Sequence, residues 1–68
     1  MTVNEIIGAA VKREREAQYL DRHTLAEIAG VSERTLRRLE NGEVLSGISL
    51  QCVVDALAVS LVVDVAVA

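Results

Sequence analysis

The chain has no proline, phenylalanine or tryptophan, and only one cysteine, Cys52, and one aromatic residue, Tyr19. A single cysteine excludes an internal disulfide, and its place on an apolar helical stretch leads us to expect a small core residue. Half of the residues are hydrophobic, so a core nearly free of aromatics must be built from Leu, Ile, Val and Ala. A chain of 68 residues allows one domain and a small core, a size at which dimerisation is a common source of added stability. There is no internal repeat and no low-complexity segment. No apolar run reaches the roughly 18 residues of a membrane helix. The N-terminus lacks the basic-then-apolar order of a signal peptide. We therefore expect a cytoplasmic protein without a membrane partner.

Chemistry-bearing sets are missing too. No carboxylate pair, Ser/His/Asp arrangement or phosphate-cradling loop points to an enzyme, and no cofactor is expected. His23 and Cys52 have no partners that would make metal ligation credible. Basic residues are absent from the C-terminal third: all seven lie between Lys12 and Arg38. The formal net charge is −3, yet an acidic domain can carry one basic face, and the local field governs contact with nucleic acid. The low net charge predicts weak non-specific affinity and a shallow salt dependence.

What is present is concentrated in Leu25-Ala-Glu-Ile-Ala-Gly-Val-Ser-Glu-Arg-Thr-Leu-Arg-Arg-Leu-Glu-Asn-Gly42. It reads as a short helix, a glycine turn and a second short helix that presents three arginines, with a width and charge suited to a DNA major groove. Around it, Asn4 or Thr2 caps a first helix to about Tyr19, with Ile7, Val11, Arg15 and Gln18 on its inward stripe. Asp21 caps a second helix, 22–29, which Gly30 ends. Val31 turns back into the core, and Ser32 caps a third helix, 33–40, whose inward residues are Leu36 and Leu39. Asn41-Gly42 stops it. A loop over 43–48 follows. Ser49 is the expected cap of a fourth helix, about 50–58, with Leu50, Val53, Val54 and Leu57 inward. After that the period changes. Val63, Val65 and Val67 alternate with Asp64, Ala66 and Ala68, a strand pattern.

Leu25-Ala26, Gly30-Val31-Ser32 and Leu39-Glu40-Asn41-Gly42, taken together, resemble the lambda-type repressor and Cro family of Xre-type helix-turn-helix regulators over about residues 6–61. The resemblance implies an all-α, four-helix lambda-repressor-like DNA-binding domain whose third helix lies in the major groove of double-stranded DNA. The positions matching the family's base-reading residues are Glu33, Arg34 and Arg38, with Thr35 and Arg37 beside them. Arginine suits guanine O6 and N7, and a glutamate can accept from cytosine N4. Arg22, where the family commonly has a glutamine, corresponds to a phosphate contact, with Ser32 and Asn41 as further phosphate candidates. Arg15 and Glu40 match a buried ion pair of the family that ties the first helix to the end of the third. Departures from the pattern are Tyr19 where a glycine often ends the first helix, Ala58 in place of a glycine, and a 43–48 loop without a basic residue.

The tail completes the expectation. One strand cannot stand alone, because its backbone groups need partners. With no other strand in the chain, the simplest partner is the same strand of a second copy about a twofold axis. This division gives a DNA-binding domain over 1–61 and a dimerisation strand over 62–68, with Val63, Val65 and Val67 on the pairing face, an arrangement resembling HipB-type antitoxins. The expected function is a homodimeric transcription regulator, a repressor on a palindromic operator, located at the nucleoid when bound. The alternative is an antitoxin that holds a toxin and regulates its own operon. A domain that keeps the fold without binding DNA is the third reading, opposed by the three arginines of the third helix.

Overall fold

Helix starts in this chain are set by hydroxyl and carboxylate side chains that accept from the first free backbone N–H groups. The computed structural model describes the backbone of residues 1–43 and 46–67 and the side chains of residues 1–43 and 46–59. It contains α1 (Val3–Ala17), α2 (Arg22–Ala29), α3 (Glu33–Glu40) and α4 (Gly47–Val67). Thr2 opens α1 with a reciprocal capping box: its hydroxyl accepts from the Glu5 N–H at 3.2 Å, and Glu5 accepts from the Thr2 N–H at 3.1 Å. Asp21 accepts from the Thr24 N–H at 2.7 Å, and Ser32 from the Thr35 N–H at 3.0 Å.

The first three helices stop in the same way. Leu20 N–H donates to Arg15 C=O, Val31 to Ala26 and Glu43 to Arg38, each with an inner bond beside it from Tyr19 to Glu16, Gly30 to Glu27 and Gly42 to Leu39. These are paired 6→1 and 5→2 bonds, and each needs a left-handed residue at the turn. Gly30 supplies it at φ 73° without a Cβ penalty, whereas Tyr19 supplies it at φ 58° as a bulky residue that is almost fully exposed.

Leu25, Leu36 and Val53, one each from α2, α3 and α4, are completely buried and form the centre of the core. Val11, Ala26, Leu39, Ala56 and Leu57 surround them. Helix α1 packs chiefly on α3, and α2 packs chiefly on α4. Gly8 makes the first of these contacts possible. A Cβ there would collide with the Leu39 carbonyl oxygen and lie 3.0 Å from that of Glu40.

The last helix corrects three expectations. It begins at Gly47, and Ser46 caps it, accepting from the Ser49 N–H at 3.2 Å. Ser46 and Ser49 are both good caps three residues apart, and the cap one turn earlier adds a turn of helix. Val54, expected inward, is half exposed, while Ala56 is buried. The inward stripe runs through Val53, Ala56 and Leu57, and Val54 sits about 100° round the helix from Val53. The strand expected over 62–68 is instead the continuation of α4 as far as Val67. Valine alternation suits a strand, but a helix closes its hydrogen bonds within one chain, whereas a lone strand leaves them open. The side chains of Val63, Val65 and Val67, and Ala68 itself, lie outside the described residues.

Two measurements test this account. Gly8→Ala forces backbone apart between α1 and α3, so it should lower unfolding free energy by about 1–3 kcal/mol in denaturant melts. Asp21 and Glu5 are both held below the usual carboxylate range, chiefly by the cap hydrogen bonds from the Thr24 and Thr2 backbones. A carboxylate depressed in the folded state stabilises above its unfolded pKa and loses that contribution as pH falls through its folded value. Asp21→Asn keeps a cap acceptor but cannot titrate. Its Tm should therefore fall less than that of the wild type as pH drops below about 5.

Candidate nucleic-acid interface

In α3 the sequence Glu-Arg-Thr-Leu-Arg-Arg-Leu-Glu divides cleanly at helical spacing. Leu36, Leu39 and Glu40 are buried, and Glu33, Arg34, Arg37 and Arg38 are exposed. Arg34, Arg37 and Arg38 stand three and four residues apart and share one face. Thr35 is half-buried and tied to the cap, receiving the Ser32 hydroxyl proton at 2.9 Å. The α2–turn–α3 unit holds this face outward, because Leu25 and Ala26 of α2 and Leu36 of α3 are buried together.

The exposed cations differ in what already holds them. Arg38 donates from Nε to Glu43 Oε1 at 3.1 Å, so a further acceptor would have to use its remaining nitrogens or displace Glu43. Arg34 and Arg37 carry no ion pair among the described residues. His23 lies between two carboxylates, 3.2 Å from Glu27 and 3.9 Å from Glu33, which links α2 to the first turn of α3. Glu33 at the helix start and Arg37 and Arg38 at its end also match the helix dipole. Asn41 is exposed immediately after α3, and the Ser32 hydroxyl is engaged as the cap.

Beneath this face lies a buried charge cluster. Arg15 Nε donates to Glu40 Oε2 at 2.8 Å, its Nη2 to Glu40 Oε1 at 3.1 Å and its Nη1 to the Leu20 carbonyl at 2.8 Å. The bidentate hydrogen bond to Glu40 is the chief cause that holds the Arg15 guanidinium above its ordinary pKa, against the opposing effect of burial. Arg22, at the first position of α2, donates from Nε to the same Glu40 Oε1 at 3.1 Å. The Glu40 carboxylate therefore receives from two arginines, while its side chain is only 1% exposed.

Reasoning from sequence did not find the Arg22–Glu40 bond or the role of Gly8. Eighteen residues separate Arg22 from Glu40, so no periodicity relates them. Gly8 had a signal: a glycine inside a helical pattern costs about 1 kcal/mol, which implies a packing reason.

Residues 11–63 match the family model described as helix-turn-helix. No curated protein and no solved structure matches the chain.

The charge cluster has a measurable signature. Arg15→Met and Glu40→Leu each leave a buried charge short of partners and should cost roughly 3–5 kcal/mol. Glu40→Leu should be the worse of the two, because Arg22 still reaches Glu40 when Arg15 is gone. The double variant should recover much of the loss, giving a strong non-additive term in a denaturant double-mutant cycle.

Proposed function

Because the chain belongs to the helix-turn-helix family of DNA-binding regulators, we propose that it is a sequence-specific transcriptional repressor acting as a homodimer on a palindromic operator. The observation that carries this reading is the face of α3 on which Arg34, Arg37 and Arg38 stand together, exposed, on a helix anchored from below. Two such helices, related by a twofold axis, would enter major grooves about one helical turn apart. Arg34 and Arg38 are the base-reading residues, with Arg37, Thr35 and Glu33 beside them. Arg22, Ser32 and Asn41 meet phosphates, Ser32 through its backbone because its hydroxyl serves the cap.

The second copy is supported by α4. Asp55 and Asp64 are the only charges along its 21 residues. An open groove between α2 and α4 is lined by Ile28, Ala29, Cys52, Asp55, Ala56 and Val59, and Ile28, Val54 and Val59 are each about half exposed. An apolar surface of this kind on so small a domain favours cover by another chain.

Footprinting on the DNA flanking the protein's own gene tests the reading and supplies an operator. Against that operator, Arg34→Ala and Arg38→Ala should each cost about 1–3 kcal/mol of specific binding and spare binding to scrambled duplex. Equal losses on both duplexes would remove them as base readers. For the dimer, Val59→Glu places a charge on the exposed apolar side of α4. In analytical ultracentrifugation it should convert a wild-type dimer to a folded monomer with weak operator affinity.

A further inference from the structure

We infer that Glu40 is a positioning residue for phosphate binding. It holds the Arg22 guanidinium by Nε, in the place where the two Nη groups meet a DNA phosphate. The inference rests on the DNA-binding reading above.

Glu40 looks at first like one half of an ion pair with Arg15. Yet Arg15 makes two hydrogen bonds to it, and Arg22 adds a third on the oxygen Oε1 that Arg15 Nη2 also uses. Two cations on one carboxylate leave a net single positive charge at the junction of α1, α2 and α3. Arg15 lies within the core, 9% exposed, whereas the Arg22 side chain is 35% exposed. The excess charge is therefore presented to water through Arg22.

The chemistry of the fork makes this arrangement selective for arginine. Nε points back along the chain and the two Nη groups point away, so one guanidinium can serve a buried carboxylate and an external phosphate together. No other hydrogen bond from Arg22 is formed among the described residues. Arg22 is also the first residue of α2, beside the free N–H groups of its first turn, where an anion is favoured. A free arginine must be ordered when it meets a phosphate. Arg22 is already ordered by Glu40, which lowers that entropic cost.

The test uses the Arg15→Met/Glu40→Leu double variant. It removes Glu40 without stranding a buried charge and leaves the net charge of the chain unchanged. Arg22 can then turn into water. Binding to a fluorescent duplex of random sequence is followed by anisotropy at several salt concentrations, for the wild type, Arg22→Ala, the double variant and the triple variant. The double variant should bind about two- to tenfold more weakly than the wild type with the salt slope unchanged, since the charges that meet phosphate are all still present. Arg22→Ala should reduce affinity and flatten the slope by about one ion in the wild type, and cost that much less, about two- to tenfold, in the double variant. A merely structural Glu40 would give equal Arg22→Ala losses in both backgrounds, and that result overturns the inference.

If the double variant lacks a cooperative melt, Arg22→Lys in the wild type replaces it. A lysine has one nitrogen to divide between carboxylate and phosphate, so affinity should fall two- to tenfold at constant slope, and wild-type affinity would overturn the inference. A wild type that binds no duplex at low salt overturns the DNA-binding reading itself. Normal wild-type binding that Arg22→Ala leaves unaltered overturns only the role of Arg22 and Glu40.

Discussion

One buried carboxylate organises this small domain. Taking the Glu40 side chain out of water carries a desolvation penalty of several kcal/mol, which only well-aligned donors offset. Arg15 supplies two of them and Arg22 a third, while Arg15 also bonds the carbonyl of Leu20 in the α1–α2 turn. The end of α1, the turn, the start of α2 and the end of α3 are thereby referred to a single point. Gly8 allows the backbone of α1 to approach Leu39 and Glu40 closely enough for this geometry. The three central core residues, Leu25, Leu36 and Val53, fix which faces of their helices turn inward, and the bidentate bond adds a directional contact that apolar burial lacks. The core and the charge cluster together hold α3, and with it the arginine face.

The acidic balance of the chain looks different once its carboxylates are located. Glu5 and Asp21 accept backbone N–H groups at helix starts, Glu40 is the core counter-ion, Glu43 pairs with Arg38, and Glu27 lies beside His23. Much of the negative charge is thus committed to caps and to neutralising particular cations. Arg34 and Arg37 are left without such a partner among the described residues. Net charge is a poor guide to the local field of a domain in which each sign has a separate place.

Within α2 and α3 the expected limits, 22–29 and 33–40, coincide with those observed, because caps and glycine stops act over three or four residues. The same locality explains Thr2 as the cap of α1 and the division of α3 into buried leucines and exposed arginines. The tail shows where local pattern fails. Valines alternating with small or acidic residues read as a strand, yet the chain continues as helix to Val67. Alternation records which residues could share a face, not whether a neighbouring strand exists to complete the ladder. Ser46 against Ser49 is a smaller instance: both side chains can cap, and only the position of the first helical turn chooses between them.

The sequence by itself determined the starts and stops of α2 and α3, the apolar identity of the core and the family to which the chain belongs, since each rests on short-range chemistry repeated at helical spacing. Tertiary structure decided the rest. It placed Arg22 and Arg15 on one oxygen of Glu40, chose Ala56 over Val54 for the core, required a glycine at position 8 and extended α4 through the alternating valines. The first three outcomes depend on what approaches from elsewhere in the chain, and the last on the lack of a neighbouring strand among the described residues. Such contacts have no period in the sequence, and they are settled by which buried polar groups find partners and which backbones can come close.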